Sequence, residues 1–313
     1  MSTLIITSGN GKSFTQLKNF VLSLRTNGKY VGKIAICDNA ISGTWNAPGT
    51  WSEDESFSQD QKQFFEEMEV VLYPIQQLLQ QNDIDPEVIK SIKSPTQRYP
   101  YKFVYNTLIS KIYINKVDRI FYFDSDIYFQ AEFNLIEKAA ETGKILIVKE
   151  FLRMKDGPYL NKWLNYSDFS KLSSQEDYLN TMLPAQNYCS GFYGSEAATF
   201  HRFNLLAMLL TSNKFVNFYS DQPLVNILKT FFFYPFKELD YSYCLHLGEL
   251  DREQYTVEQG KFCYKSIIPI CIHFNSSKYD QLEHILSKGY ELPYTKPSLL
   301  QRLKRIARKL LRK

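Results

Sequence analysis

Short apolar runs alternate with stretches of helical period along the first half of the chain. Thr3–Thr7 reads as a strand, and Phe14, Leu17, Phe20, Val21 and Leu24 then recur at three- and four-residue steps, the mark of an amphipathic helix. Lys33–Cys37 is a second strand, ending at Asp38. Ile41–Phe57 is polar, holds Gly, Pro and two Trp, and predicts a long loop. Val70–Tyr73 reads as a short strand, Tyr101–Ile114 as a helix, Arg119–Phe123 as the strand that follows it, and Lys144–Val148 as a further strand. This alternation predicts an α/β fold whose sheet is largely parallel in its N-terminal part. No repeat, low-complexity segment or strong linker interrupts residues 1–295, so the expectation is one domain followed by a tail at 296–313.

Composition narrows the class without naming a function. At 313 residues and 44% hydrophobic content the chain can bury a sizeable core, which excludes a disordered or collagen-like protein. Its apolar runs, such as Phe231–Tyr234 and Ile267–Ile272, are too short to span a bilayer, and no charged-then-apolar leader follows Met1. The five cysteines form no Cys-x-x-Cys pair, which points to a reducing compartment and away from structural zinc.

Charge is unevenly spread. The net value is +4, yet residues 296–313 alone hold eight Lys/Arg and no acid, which leaves residues 1–295 net acidic. In that tail Leu299, Leu300, Leu303, Ile306, Ala307, Leu310 and Leu311 recur at helical spacing, with Lys304, Arg305, Arg308, Lys309 and Arg312 on the other arc. A basic amphipathic helix of this kind suits an anionic membrane surface, gaining roughly 1 kcal/mol per basic residue. The bland alternative is a helix packed on an acidic face. The acidic remainder argues against nucleic acid. The expected location is therefore cytoplasmic, peripheral on the inner face of the membrane.

Two segments invite a chemical reading. Gly9-Asn10-Gly11-Lys12-Ser13 joins the first strand to the first helix, but Ile6 stands where a phosphate loop needs its first glycine. Nucleotides nonetheless often rest at such a strand–helix junction in open α/β sheets. More informative is Arg119-Ile-Phe-Tyr-Phe-Asp124-Ser-Asp126, where a strand apolar on both faces ends in two carboxylates. In extended chain both would point to one side, roughly 7 Å apart at Cα. A hard divalent ion, Mn²⁺ or Mg²⁺, would relieve their repulsion and in turn bind phosphate oxygens. The competing reading is an ordinary Asp-Ser-Asp turn that closes a strand.

With these residues in view, the chain resembles the GT-A fold glycosyltransferases (Rossmann-like nucleotide-diphospho-sugar transferases with a mixed central sheet), in particular glycosyltransferase family 8 and its relatives. The resemblance runs along most of residues 1–280 as an ordered series of short motifs. A first strand and loop that hold the nucleotide match Leu4–Gly11, which includes Thr7 and Ser8, and an acid after the second strand matches Asp38. A basic and aromatic helix start that touches sugar and diphosphate matches Arg98-Tyr-Pro-Tyr-Lys102. A segment lining the donor sugar matches Asn187-Tyr-Cys-Ser-Gly191-Phe. An Asp-Gln pair opening a helix matches Asp221-Gln222, and a strand ending in the third metal ligand matches Ile270-Cys-Ile-His273. Each has a plainer counterpart: Arg98 and Lys102 as a solvated helix start, Asp221 as a cap before Pro223, Gly191 as a tight strand end, His273 as a core histidine. After His273 the family's Gly and Lys-Pro-Trp are replaced by Phe274-Asn-Ser-Ser-Lys278-Tyr.

The resemblance implies a metal-dependent hexosyltransferase that takes a nucleoside-diphosphate donor, a UDP-sugar, and a glycan acceptor, and the basic tail suggests a lipid-linked one. It implies Mn²⁺ or Mg²⁺ on Asp124, Asp126 and His273, and positive charge at the diphosphate from Arg98, Lys102 and Lys278. It also implies contacts to the nucleotide or sugar from Thr7, Ser8, Asp38, Asp124 and Gly191, and roles near the reacting centre for Asp221 and Gln222. Inverting chemistry would need a base, for which Asp221 is the candidate; resemblance to family 8 implies retention. The Trp-containing loop would close over the donor. Two rivals stay open: a sugar nucleotidyltransferase, disfavoured by the absence of Arg from Thr7–Ser13, and a membrane-docked scaffold without activity.

Overall fold

The computed structural model describes residues 2–39, 41–42, 50–51, 56–82, 101–156, 170, 172–212, 221–250, 254–275 and 279–287. Seven strands make a mixed sheet: β1 (Thr3–Gly9), β2 (Lys33–Asp38), β3 (Val70–Pro74), β4 (Arg119–Phe123), β6 (Ile145–Arg153), β7 (Gln186–Glu196) and β8 (Phe236–Leu239). Their order across the sheet is β8-β6-β7-β4-β1-β2-β3. The pairs β1–β2, β1–β4 and β2–β3 are parallel, as the alternating pattern predicts. β7 breaks that run, lying antiparallel to both β4 and β6.

A second, three-stranded sheet combines β5 (Ile127–Phe129), β9 (Cys244–His246) and β10 (Cys271–His273) in the order β9-β10-β5. Only three residues separate the end of β4 from β5, Phe123 giving way to a turn and then to Ile127. The amide of Ile127 bonds the Asp124 carbonyl at 3.2 Å, so Asp124-Ser125-Asp126 is turned, not extended. The extended geometry that was the premise for putting both carboxylates on one side does not hold; the turn brings them together instead. Ile41–Phe57 also departs from a plain loop, since Ile41–Ser42 and Thr50–Trp51 pair antiparallel.

The β4 strand is buried on both faces because two layers cover it. Ile120 and Tyr122 join the core beneath α2 (Tyr101–Tyr113) and α3 (Ala197–Ser212), while Phe121 and Phe123 join the core beneath α1 (Phe14–Thr26). Phe123 stacks on Phe192 of β7 with ring centroids 4.7 Å apart. Close approach of β7 to β4 also requires Gly194, where an added Cβ would lie 2.0 Å from the Phe121 ring. A further helix, α4 (Asp221–Thr230), buries Leu224, Val225, Ile227 and Leu228 against the α2 side. No helix among the described residues is long and apolar enough to cross a membrane.

Candidate active site

The carboxyl ends of β1, β2 and β4, the turn into β5, and the end of β10 meet on one side of the sheet. In an open α/β sheet this edge collects ligands. Asp124 is pinned there by its backbone, whose amide donates to the Gly191 carbonyl at 2.8 Å. Opposite it, β10 runs antiparallel to β5 with His273 facing Ile127, so the strand's last residue arrives beside the turn.

One ligand atom from each of Asp124, Asp126 and His273 lies within 4.8 Å of the others. His273 Nε2 is 3.2 Å from Asp126 Oδ1 and 3.6 Å from Asp124 Oδ2. Burial pulls the imidazole towards neutrality, but the Asp126 carboxylate and the Cys189 sulfur together hold His273 well above the usual histidine range. Reciprocally, burial pushes Asp126 up, but His273, a backbone hydrogen bond and His246 together leave it below the ordinary carboxylate value. Two hard oxygen donors and one imidazole suit Mn²⁺ or Mg²⁺. Gly191 keeps the cradle open, since a Cβ there would stand 2.5 Å from His273 Cε1 and 2.6 Å from Asp124 Oδ2. The residues fit such an ion.

Lys102, near the start of α2, reaches the same cluster from the other layer. Its ammonium passes over the Tyr122 ring at 4.9 Å, donates to Asp124 Oδ1 at 3.1 Å and the Ser190 carbonyl at 3.2 Å, and pairs with the Asp221 carboxylate. Burial would lower its pKa, but Asp124 and Asp221 together raise it well above the usual lysine value. Tyr122 adds a hydroxyl donor to Asp124 Oδ1 at 2.6 Å. Tyr105 lies 3.2 Å from the Tyr122 hydroxyl, and Ser8 Oγ lies 2.5 Å from that of Tyr105. A continuous hydrogen-bonded chain thus links the end of β1 to the first carboxylate.

Around Asp221 the start of α4 is tied to β7. Asn226 accepts from the Tyr188 amide at 3.1 Å and donates to Asn187 Oδ1 at 3.0 Å. Gln222 donates to Glu150 Oε2 at 2.8 Å, and Asn187 donates to the same oxygen. Glu150 faces inward because it alternates along β6 with the buried Leu146 and Val148, between the exposed Lys149 and Phe151.

The structure therefore gathers Asp124, Asp126, His273, Lys102, Asp221 and Gly191 into one cluster, with Gln222 beside it through Glu150 and Ser8 joined through the tyrosines. Asp38 ends β2 at the same sheet edge, buried and in register with Gly9. Thr7 is not brought into the cluster: alternation turns it towards α1, fully buried, and its hydroxyl has no hydrogen-bond partner among the described residues. Arg98, Lys278, Trp45 and the tail 296–313 lie outside the described residues, as does the side chain of Trp51. Glu150 and His246 line the same region and carry no assignment from sequence, while Cys189 enters only as part of the Asn187–Phe192 segment. The one signal for Glu150 is a single acid, beside Lys149, inside the mostly apolar run Ile145–Leu152.

The mixed α/β fold, with its seven-stranded central sheet, is GT-A-like. Among solved structures, the chain is similar to the apo crystal structure of mouse xyloside xylosyltransferase 1. The likeness covers 88% of this chain and 98% of that one, with a TM-score of 0.53 and 13% sequence identity. No family model and no curated protein matches the sequence.

Proposed function

We propose that this chain is a divalent-metal-dependent glycosyltransferase of the kind found in family 8 and its relatives. It transfers a sugar from a nucleoside diphosphate, a UDP-sugar, to a glycan or lipid-linked acceptor. The observation that carries the reading is the convergence of Asp124, Asp126 and His273 at the carboxyl edge of the parallel strands. The fold shared with a xylosyltransferase supports it.

Loss of a nucleoside diphosphate leaves a multiply charged group. Mn²⁺ or Mg²⁺ held by Asp124, Asp126 and His273 would supply Lewis-acid stabilisation of that charge. Tyr122 and Lys102 fix the orientation of the Asp124 carboxylate, so that Asp124 needs little rearrangement when the donor binds. Asp221, held against the Lys102 ammonium, is a poor base, which supports the retaining course over an inverting one with Asp221 as proton acceptor. Asp221 and Gln222 are assigned to positioning at the donor sugar, with Gly191 admitting the sugar to the cradle. Ser8 and Asp38 border the nucleotide end; Arg98 and Lys278 are assigned to the diphosphate from their sequence positions. The tail 296–313 is proposed to hold the protein on the cytoplasmic face of an anionic membrane, supported by its eight basic residues.

Calorimetric titration with UDP, with and without Mn²⁺, tests the reading. Wild-type protein is expected to bind UDP in a metal-dependent manner, and folded Asp126→Asn to lose that binding. Undiminished Mn²⁺-dependent affinity in Asp126→Asn overturns it. Pyrophosphate release from a nucleoside triphosphate and a sugar-1-phosphate would favour a nucleotidyltransferase instead.

A further inference from the structure

A second set of donors converges on the opposite nitrogen of the His273 imidazole. Cys189 Sγ lies 3.2 Å from His273 Nδ1, and the His246 and His273 rings are 4.8 Å apart at their centroids. One ligand atom from each of Cys189, His246 and His273 falls within 4.8 Å of the others. Topology explains the grouping. β9 and β10 are parallel with His246 beside His273, so strand alternation puts both imidazoles on one face, and Cys189 of β7 meets that face. Behind His246 stands buried Glu150, its Oε1 3.8 Å from His246 Nδ1. Carboxylates so placed orient metal-bound imidazoles and raise their basicity.

The chemistry of this set differs from that of its neighbour. One sulfur and two imidazole nitrogens prefer a borderline or soft ion such as Zn²⁺, whereas Asp124, Asp126 and one imidazole nitrogen prefer Mn²⁺ or Mg²⁺. We infer that Cys189, His246 and His273 form a binding site for a thiophilic divalent cation, Zn²⁺ by its donor chemistry, and that occupancy there excludes the hard ion from the Asp124–Asp126–His273 set. The site itself stands independently of the proposed activity; the exclusion rests on it.

Exclusion follows from His273 being shared. A neutral imidazole offers a lone pair on one nitrogen and an N–H on the other. With the soft ion on Nδ1, the proton sits on Nε2, where it faces the Asp126 and Asp124 oxygens and donates to them. The carboxylates then lose their third co-ligand. With the hard ion on Nε2, an Nδ1–H faces the Cys189 sulfur. Binding of the soft ion displaces the Nδ1 proton of His273 and breaks the Cys189 S–H bond, releases both protons to solvent and forms nitrogen–metal and sulfur–metal bonds, with no change of oxidation state. The device would make activity sensitive to free Zn²⁺.

Co²⁺ as a spectroscopic substitute for Zn²⁺ tests the site on the metal-free full chain. Wild type and Asp126→Asn are expected to develop a near-ultraviolet thiolate-to-cobalt band that Zn²⁺ bleaches. Cys189→Ser is expected to lack it, with His246→Gln as the second variant should Cys189→Ser fail to fold. Glu150→Gln should weaken Zn²⁺ binding by about 10- to 100-fold. No band in wild type, or a band that persists in Cys189→Ser, overturns the site. For the exclusion, electron paramagnetic resonance of bound Mn²⁺ should show its release by one equivalent of Zn²⁺ in wild type and its retention in Cys189→Ser. Wild type holding both ions at once overturns the exclusion. A wild type that shows the cobalt band but never binds Mn²⁺ counts against the proposed transferase site and the exclusion, and leaves the thiophilic site standing.

Discussion

Replacing Lys102 by Met removes one buried positive charge and strands two acids. The Lys102 and Asp221 side chains are 5% and 6% exposed, whereas Asp124 keeps 28% of its surface in contact with solvent. Water therefore compensates much of the loss at Asp124 but little at Asp221, and the Asp221 term dominates. Removing one partner of a buried pair costs about 3–5 kcal/mol, against 0–1 for an exposed pair. At the usual unfolding entropy per residue, 1 kcal/mol shifts Tm by about 1.5 °C in a chain of 313 residues. Lys102→Met should thus lower Tm by about 5–8 °C in metal-free buffer, measured by scanning calorimetry. Adding Asp221→Asn to Lys102→Met should recover much of the loss, because the uncompensated charge goes with it. A drop below about 1.5 °C, or a double variant as unstable as the single, would show that this ammonium does not compensate buried carboxylates.

Other expectations come from the same geometry. Gly191→Ala puts a methyl among His273 and Asp124 atoms; it should cost about 1–3 kcal/mol by overpacking and weaken Mn²⁺ binding, read by calorimetry, and unchanged affinity would mean the cradle is wider than drawn. His273, held above its ordinary value near 6.5, stabilises the metal-free fold fully below that pH and loses the contribution as pH rises through its raised value. Asp126, held below its ordinary value near 3.8, contributes above that value and loses it as pH falls through the lowered one, so the pair helps most between those two pH values. Mn²⁺ must displace the His273 proton, so its affinity should climb by up to about tenfold per pH unit above about pH 6.5 until that proton is gone, and a flat profile there would contradict the ligand assignment. Deleting Lys296–Lys313 should release the protein from anionic liposomes while donor hydrolysis persists; equal sedimentation of both forms would remove the membrane role of the tail.

Much of the fold was legible because local pattern dictates local structure. The helical spacing from Phe14 to Leu24, the doubly apolar Arg119–Phe123 and the short runs before and after them each became the expected element. Asp124 and Asp126 stood out because carboxylates that end a buried strand are costly without a compensating partner. His273 became a candidate only through that pair and the family resemblance, since one histidine after an apolar strand has several ordinary explanations.

Tertiary structure decided what faces what. Nothing near Lys102 in sequence indicates that its ammonium is buried between Asp124 and Asp221, which lie 22 and 119 positions further along the chain. Antiparallel insertion of β7, and its irregular pairing with β6, brought Cys189, Gly191 and Glu150 to one place. The parallel pairing of β9 with β10 set His246 beside His273. Residue periodicity reports which face of an element is buried, because burial is a local cost. Strand order and register are settled by packing across the whole sheet, and a shift of one residue would turn each of these side chains away.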